Sequence, residues 1–374
     1  MSIRFEMIGK LDLAKDSDKR KGFEELRYKK GERDKNGQPR KNDFISRTLR
    51  LTMKSNKDFF NLRIKGNLFG DENTAVIKSM KKKPDGTYEG VEFKYKDREK
   101  YIGELAEFKK FVFVNGEERH EFATEYDYSM FVHDKLSSDE FKGKTFKIIG
   151  EIEYSNYTNP TTNETKTYTN YDINRIYVVK DDVDQFAVAN IELFINEDAI
   201  DDSKVVEEGI FTVSGYVPQY DGKKKSDKGY FQMLEYPLNI SKDKRELKFN
   251  KLKGLLDVND CELAKMGFKV NLINRVEEVD FDISMVTDEE KELLELEIIS
   301  LSELKDSYGS GKGGHISKME IEGITKNYKL GCIPTTITLS ELLSDGEEKQ
   351  EKEPELNLEG SLTDDELDDM DIFA

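Results

Sequence analysis

Aromatic residues alternate with lysine and arginine along several segments that have the two-residue period of β-strands. Alternate residues of a strand point to the same face of a sheet, so these side chains would share a surface. Aromatic rings stack on unpaired bases, and lysine and arginine bind the phosphates between them. The candidate residues are Phe59, Tyr154, Tyr157, Tyr171, Tyr177 and Tyr216 as rings, with Arg47, Arg50, Arg63, Lys65, Arg175 and Lys224 as cations. The pattern predicts a surface that binds single-stranded nucleic acid.

The clearest part of this pattern is a predicted hairpin of two strands, Phe44–Lys54 and Phe59–Leu68, joined by a short polar loop. Apolar residues occupy one face of each strand, which predicts a buried side. The opposite face carries Ser46, Thr48, Arg50, Thr52 and Lys54, then Phe59, Asn61, Arg63, Lys65 and Asn67. If the strands pair, this outer face is cationic, rich in polar groups and bordered by an aromatic ring.

Each candidate also has a purely structural interpretation. Tyrosine is common in strands because its ring packs well on a half-buried sheet. Lysines at the tip of a hairpin, such as Lys224, are usually solvated turn residues. The set as a whole is therefore more informative than any single member.

No catalytic motif fits the sequence. The segment 306–315 resembles a phosphate-binding loop, but Gly313 follows Lys312 where the motif requires serine or threonine. The histidines His120, His133 and His315 have no zinc-ligand spacing with Cys261 or Cys332. Acidic pairs such as Asp181 and Asp182 lie in polar, turn-like sequence. We therefore predict no enzyme, no cofactor and no metal site.

Charge is distributed unevenly along the 374 residues, whose net charge is −18. Residues 1–110 carry +10, residues 111–340 carry −16 and residues 341–374 carry −12. A basic N-terminal region and an acidic C-terminal tail predict two partners of opposite charge, or a tail that competes for the ligand of the basic region. No apolar run is long enough to span a membrane. Two cysteines indicate a reducing compartment, so we expect a cytoplasmic protein.

The order of predicted elements is mainly β with minor α. Helices are predicted near Tyr126–Leu136, Leu247–Val258 and Thr287–Ser307, the last with Thr287 as its cap. Gly150 and Gly215 interrupt predicted strands, which indicates a bulge or a barrel corner. We expect two OB-like β-barrel domains, at residues 1–185 and 186–340, followed by a disordered acidic tail at residues 341–374.

The end of the chain resembles the tails of bacterial and bacteriophage single-stranded DNA-binding proteins, in which aspartates precede a few apolar residues and a phenylalanine. The residues that carry the resemblance are Asp368, Asp369, Asp371, Ile372 and Phe373. Here Ala374 follows Phe373, so a partner pocket that binds a terminal phenylalanine and its carboxylate would be offset by one residue from Phe373. The resemblance implies an oligonucleotide-binding barrel core and a tail that binds replication or repair proteins. A bacteriophage protein of DNA replication or recombination, located in the host cytoplasm, fits this resemblance.

A second hypothesis comes from the negative charge of residues 111–340. An acidic interaction protein, or a mimic of DNA, would present that surface to a basic protein partner. It would bind no DNA, and salt would abolish its protein complex.

Overall fold

The computed structural model describes residues 3–17, 21–33, 40, 42–158, 162, 165–219, 230–239, 245–258, 261–279, 286–296, 298–302, 304 and 311–339. The strands are β1 (Ile3–Leu13), β2 (Phe23–Tyr28), β3 (Phe44–Ser55), β4 (Asp58–Phe69), β5 (Val76–Lys82), β6 (Tyr88–Lys94), β7 (Phe111–Asn115), β8 (Glu118–Phe122), β9 (Thr145–Thr158), β10 (Thr165–Val179), β11 (Phe186–Ile195), β12 (Ile200–Asp201), β13 (Ile210–Gln219), β14 (Tyr230–Asn239), β15 (Ala264–Val279), β16 (Gly311–Ile324) and β17 (Ile333–Pro334). The helices are α1 (Arg98–Tyr101), α2 (Glu125–Leu136), α3 (Arg245–Leu255) and α4 (Asp288–Glu295). The predicted mainly β fold is confirmed.

Five strands of the first half close into a barrel. Strand β1 pairs with β3 and β9, β3 pairs with β4, and β9 pairs with β10. The ring is completed by β4 and β10, which run parallel and meet at Arg63 and Asp172. The spatial order β9-β1-β3-β4 is that of a Greek key. A closed five-stranded Greek-key barrel is the architecture of the OB-fold.

The second half repeats this strand order. Strand β11 pairs with β13 and β15, β13 pairs with β14, and β15 pairs with β16. Strand β14 also lies against β16, so the set curves back on itself. The order β15-β11-β13-β14 is again a Greek key. The hairpin β3–β4 of the first set therefore corresponds to β13–β14 of the second, and β9–β10 corresponds to β15–β16.

A backbone ladder joins the two barrels. The first strands of the two sets, β1 and β11, pair over Arg4–Ile8, antiparallel to one another. The tip of the β3–β4 hairpin adds polar contacts: the Asn274 backbone N–H donates to the Asp58 carboxylate at 3.0 Å. The Asn56 backbone N–H donates to the side chain of Gln185 at 2.7 Å. The barrels therefore share hydrogen bonds across a continuous sheet as well as one connected apolar core.

The three predicted helices exist with different lengths. The first, α2, begins after Thr124, whose hydroxyl accepts from the Asp127 backbone N–H, and it buries Tyr128 in the first barrel. Gly66 of β4 permits this packing, because a Cβ there would lie 2.1 Å from the Tyr126 nitrogen. The predicted cap of α4 is confirmed as a capping box of Thr287 with Glu290, but the helix ends at Glu295. None of the helices within the described ranges combines the length and apolarity needed to cross a membrane.

The bulge expected near Gly150 is present in the partner strand β10, whereas Gly215 pairs with Leu234 without a register shift. Gly150 pairs with Ile173, and the register of β9 with β10 shifts between Ile173 and Arg175. A Cβ on Gly150 would lie 2.0 Å from the Asp172 carbonyl oxygen and 2.6 Å from the ring of Phe5. Glycine is required here because the bent partner strand and a core ring both approach the backbone.

Candidate nucleic-acid interface

The outer face of the β3–β4 hairpin, called the hairpin face below, brings together three of the six predicted cations, Arg50, Arg63 and Lys65. The strands pair over their full length, and their two-residue turn places Asn56 at a φ of 55°. The cross-strand pairs on this face are Phe44 with Phe69, Ser46 with Asn67, Thr48 with Lys65, Arg50 with Arg63, Thr52 with Asn61, and Lys54 with Phe59. Ten residues separate the first and last pairs, a length of about 33 Å at ~3.3 Å per residue.

One end of the hairpin face presents an exposed ring beside a cation. The side chain of Phe59 is 54% exposed, and the Lys54 ammonium lies 5.4 Å from the centre of its ring. The Phe59 carbonyl accepts a hydrogen bond from the Asn274 amide of the second barrel. The backbone that carries this ring is therefore held by both barrels, and the ring itself points to solvent.

The other end carries three rings that the sequence argument missed. Tyr28, Phe44 and Phe69 lie side by side on β2, β3 and β4, and we call them the aromatic row. The ring centres of Phe44 and Phe69 are 5.4 Å apart, and those of Tyr28 and Phe44 are 6.1 Å apart. The Arg40 guanidinium covers the Tyr28 ring at 3.8 Å. Phe69 is 37% exposed and is the open ring of the row.

The middle of the hairpin face is cationic. Arg50 is half-buried; its guanidinium donates to the Lys21 carbonyl at 2.8 Å and lies 3.8 Å from the Glu24 carboxylate. Lys65 lies next to it on β4, opposite Thr48. Since the Glu24 pair is long, Arg50 keeps donors for an incoming phosphate.

Arg63 is different, because it already binds a carboxylate. Its Nε and Nη2 donate to the two oxygens of Asp172, at 2.6 and 3.2 Å, and Nη2 lies 3.5 Å from Glu153. Such a two-pronged pair is stronger than a single charged hydrogen bond. Arg63 therefore closes the barrel between β4 and β10, and a phosphate would have to compete with Asp172 for it.

Carboxylates border the hairpin face on the side of Arg63. This acidic strip consists of Glu125 at the start of α2, Glu151 and Glu153 on β9, and Asp172 on β10. Burial raises the pKa of Glu125 to about 7, and the charge of Asp172 adds to the rise. Burial and then Asp172 also raise the pKa of Glu153. The strip thus becomes more negative as the pH rises through 7, and it repels phosphate from this flank.

The prediction for Arg47 is wrong, because this residue points inward. It shares the face of Ile45 and Leu49 on β3 and is only 7% exposed. Its guanidinium pairs with Glu25, donates to the Tyr126 carbonyl at 2.8 Å and covers the Tyr126 ring at 3.6 Å. Burial raises the pKa of Glu25, but hydrogen bonds from Arg47 and Arg27 outweigh burial and lower the pKa below its usual value. Arg47 therefore holds α2 against the barrel and presents nothing to solvent.

Two of the predicted rings are also core residues. Tyr154 is 5% exposed, and its hydroxyl lies 3.6 Å from the sulfur of Met319 on β16. Tyr171 packs edge-on against Phe5 and Phe60, at 5.5 and 5.8 Å between ring centres. Both occupy the alternate positions of their strands whose side chains point into the barrel, so neither offers a ring to a base.

The remaining described candidates lie away from the hairpin face. Arg175 donates to the Glu107 carbonyl at 2.6 Å and so fixes the turn that follows α1. Tyr177 is half-buried on β10, where it pairs with Val114. Tyr216 is half-buried against Phe194 in an apolar cluster that includes Ile337 and Leu339. The structure therefore does not bring these three residues together with Phe59.

Several predicted residues lie outside the described part of the chain. Tyr157 belongs to β9, but its side chain is not among those described, and Lys224 falls in the gap after residue 219. The tail residues Asp368, Asp369, Asp371, Ile372 and Phe373 all follow residue 339, the last described. Among the described side chains, no group of three or more His, Cys, Asp or Glu is arranged to hold a metal ion.

Comparisons with known proteins give no family. No family model matches the chain, and no curated protein matches it. Among solved structures, one similar chain is a deletion mutant of the single-stranded DNA binding protein from Thermus aquaticus. The likeness covers 75% of this chain and 96% of that chain, at 10% identity and a TM-score of 0.27. At this TM-score the likeness supports no argument, so function has to be argued from the interface itself.

Proposed function

We propose that this protein binds single-stranded DNA without catalysis and without strong sequence preference, and that the hairpin face is its main binding surface. The observation that supports the proposal is the arrangement of that face: Arg50, Lys54 and Lys65 lie between exposed rings at its two ends, Phe59 and Phe69. Rings that receive bases and cations that follow the phosphates are the two requirements of such binding. In OB-folds the surface of the second and third strands binds oligonucleotides, and β3 and β4 are those strands here.

The acidic strip supports a direction for the bound strand. A polyanion that crossed from β4 onto β10 would pass over Glu151, Glu153 and Asp172. A strand that runs along the hairpin, from Phe59 toward Phe69, avoids them. We therefore infer that the strand follows the long axis of β3 and β4.

Binding is expected to depend steeply on salt. The hairpin face offers three or four cations, and each phosphate neutralised on a single strand contributes a slope of about −0.7 in log K against log salt. The dissociation constant for oligothymidylate should therefore rise roughly 20- to 50-fold between about 50 and 200 mM salt. Fluorescence anisotropy with labelled oligothymidylate, duplex DNA and RNA at both salt concentrations measures this. The absence of binding at low salt, together with salt-sensitive binding to a basic protein, would instead support the acidic-mimic hypothesis.

We further propose that the tail at residues 341–374 recruits partner proteins of replication or repair. Its support is the sequence alone: aspartates that can meet a basic rim, followed by Ile372 and Phe373 for an apolar pocket. Deletion of Asp368–Ala374 should abolish capture of such partners from extract of the source cells and leave affinity for oligothymidylate at 200 mM salt within about twofold. A matched variant that keeps the length and changes only Asp368, Asp369 and Asp371 to Asn separates charge from the apolar tip. Capture that survives the deletion contradicts the proposal.

The division into domains at residue 185 remains a prediction. The cytoplasmic location, the bacteriophage origin and the role in recombination also remain predictions. The strand sets of the two barrels support the boundary, because β10 ends at Val179 and β11 begins at Phe186.

A further inference from the structure

A second basic and aromatic surface lies next to the hairpin face. Strands β5 and β6 form a separate two-stranded sheet, which we call the arm. Residues 70–75 connect Phe69 directly to the arm, and the Tyr95 backbone N–H returns a hydrogen bond to the Ala75 carbonyl at 2.9 Å. The arm therefore starts at the Phe69 end of the hairpin face.

The two faces of the arm have different roles. One face packs Ile77, Val91 and Phe93 against Leu105 and the segment around it. The other face pairs Val76 with Lys94, Lys78 with Glu92, Met80 with Gly90, and Lys82 with Tyr88. On this second face, called the arm face, three lysines accompany one glutamate, and Glu92 lies 3.2 Å from Lys78. Lys82 and Lys94 therefore give the arm face an excess of positive charge.

Exposed rings complete the arm face. Tyr88 is 46% exposed, and Phe108 from the turn after α1 is 50% exposed. Their ring centres are 4.9 Å apart in an edge-on contact, and the Lys109 ammonium lies 5.9 Å from the Phe108 ring. The two rings in contact form a contiguous apolar patch bordered by lysines, and exposed apolar patches with a polar rim are typical of interaction sites.

The position of these rings is fixed. The Ala106 backbone N–H donates to the Met80 carbonyl at 2.8 Å, which ties the turn to β5. Arg175 on β10 holds the same turn through the Glu107 carbonyl. Phe108 is therefore presented by a braced turn, and little ordering entropy is lost when a base stacks on it.

We propose that the arm face is a second DNA-binding site, which takes the bases and phosphates of the same single strand after it leaves Phe69. The proposal rests on the proposed function of the hairpin face and extends it. Tyr88 and Phe108 supply stacking surfaces, while Lys82, Lys94 and Lys109 supply cations. A short oligonucleotide occupies the hairpin face alone, and only a longer one reaches the arm.

The test compares two lengths of oligothymidylate, about 6 and about 24 nucleotides, of which the first lies within and the second exceeds the usual site size of one OB-fold, about 4–16 nucleotides. The double variant Tyr88→Ala/Phe108→Ala should weaken binding of the longer oligonucleotide at least about fivefold and leave the shorter one within about twofold. A second variant, Lys82→Glu/Lys94→Glu, keeps both rings and should show the same difference between lengths. Leu330→Ala, a fully exposed apolar residue elsewhere, is the control and should change neither affinity.

The outcomes separate the two proposals. If the wild-type protein binds neither oligonucleotide, the function proposed for the hairpin face fails and the arm site fails with it. If the wild type binds both and the arm variants match it at both lengths, only the arm site is overturned, and its rings would then belong to a protein contact. Equal losses at both lengths also overturn it, because the arm would not be a separate, later contact.

Discussion

Replacing Arg47 by methionine should destabilise the fold by about 1.5–3 kcal/mol, because the half-buried Glu25 loses its charged hydrogen bonds from Arg47 and keeps only those from Arg27 and the Tyr126 hydroxyl. Glu25 would lose its main donor, and the Tyr126 carbonyl would lose a hydrogen bond. Urea denaturation followed by circular dichroism measures the loss. Material that stays folded should bind oligothymidylate as the wild type does, since Arg47 does not reach the surface.

Arg50→Met is the matched control on the same strand. Arg50 points outward and its ion pair with Glu24 is long, so the free energy of unfolding should change by less than about 1 kcal/mol while DNA affinity falls.

The loss of stability in the Arg47→Met variant should also depend on pH. Because the pKa of Glu25 is lowered on folding, its pair stabilises the wild type above the usual value of 4.5 and loses this effect as the pH falls through the lowered pKa. Equal stability of the Arg47 variant and the wild type at pH 7 would contradict the assignment.

Removing the two exposed rings of the hairpin face should have the largest effect on binding. A stacked base contributes about 1–3 kcal/mol by alanine substitution. Phe59 and Phe69 lie at opposite ends of the face, so the losses in Phe59→Ala/Phe69→Ala should add. The dissociation constant for oligothymidylate should then rise roughly 30-fold to 10⁴-fold, since each ~1.4 kcal/mol is tenfold. Anisotropy titration at low salt covers this range.

Tyrosine at both positions provides the rescue for this experiment. It keeps a flat ring of similar size, so affinity should return to within a few-fold of the wild type. Phe59→Leu/Phe69→Leu keeps apolar volume without a ring and should stay weak. Alanine variants that bind like the wild type, with unchanged thermal unfolding, would show that bases do not stack at these ends.

Alternation within a strand was enough to predict the hairpin and its outer face. The same rule places Arg47 with Ile45 and Leu49, so its inward position follows from alternation, although its charge alone indicates a surface residue. Phe44 and Phe69 also share the outer parity. They were missed because they lie at the predicted ends of the strands, where the pairing register decides whether they meet.

The positions of other predicted residues depend on contacts between distant parts of the chain. The carboxylate that binds Arg63 belongs to Asp172, 109 residues away, and only closure of the barrel brings the two together. Tyr154 alternates with the apolar residues Phe146, Ile148 and Ile152, so alternation assigns it to the core. The inward position of Tyr171 depends on its contacts with Phe5 and Phe60, which are distant in the sequence. Charge and aromatic content therefore predicted the kind of surface, while the topology selected its members.

The shared ladder between β1 and β11 also limits how the protein can be dissected. Residues Arg4–Ile8 have β9 on one side and β11 on the other. A fragment cut after residue 185 would keep all five strands of its barrel but leave the N–H and C=O groups on one side of β1 without partners. Bare strand edges of this kind pair with other chains. The two barrels therefore depend on each other, although each has a complete set of strands. Low solubility of either half in isolation would follow from the exposed edge of β1 or β11 and not from a defect in its own core.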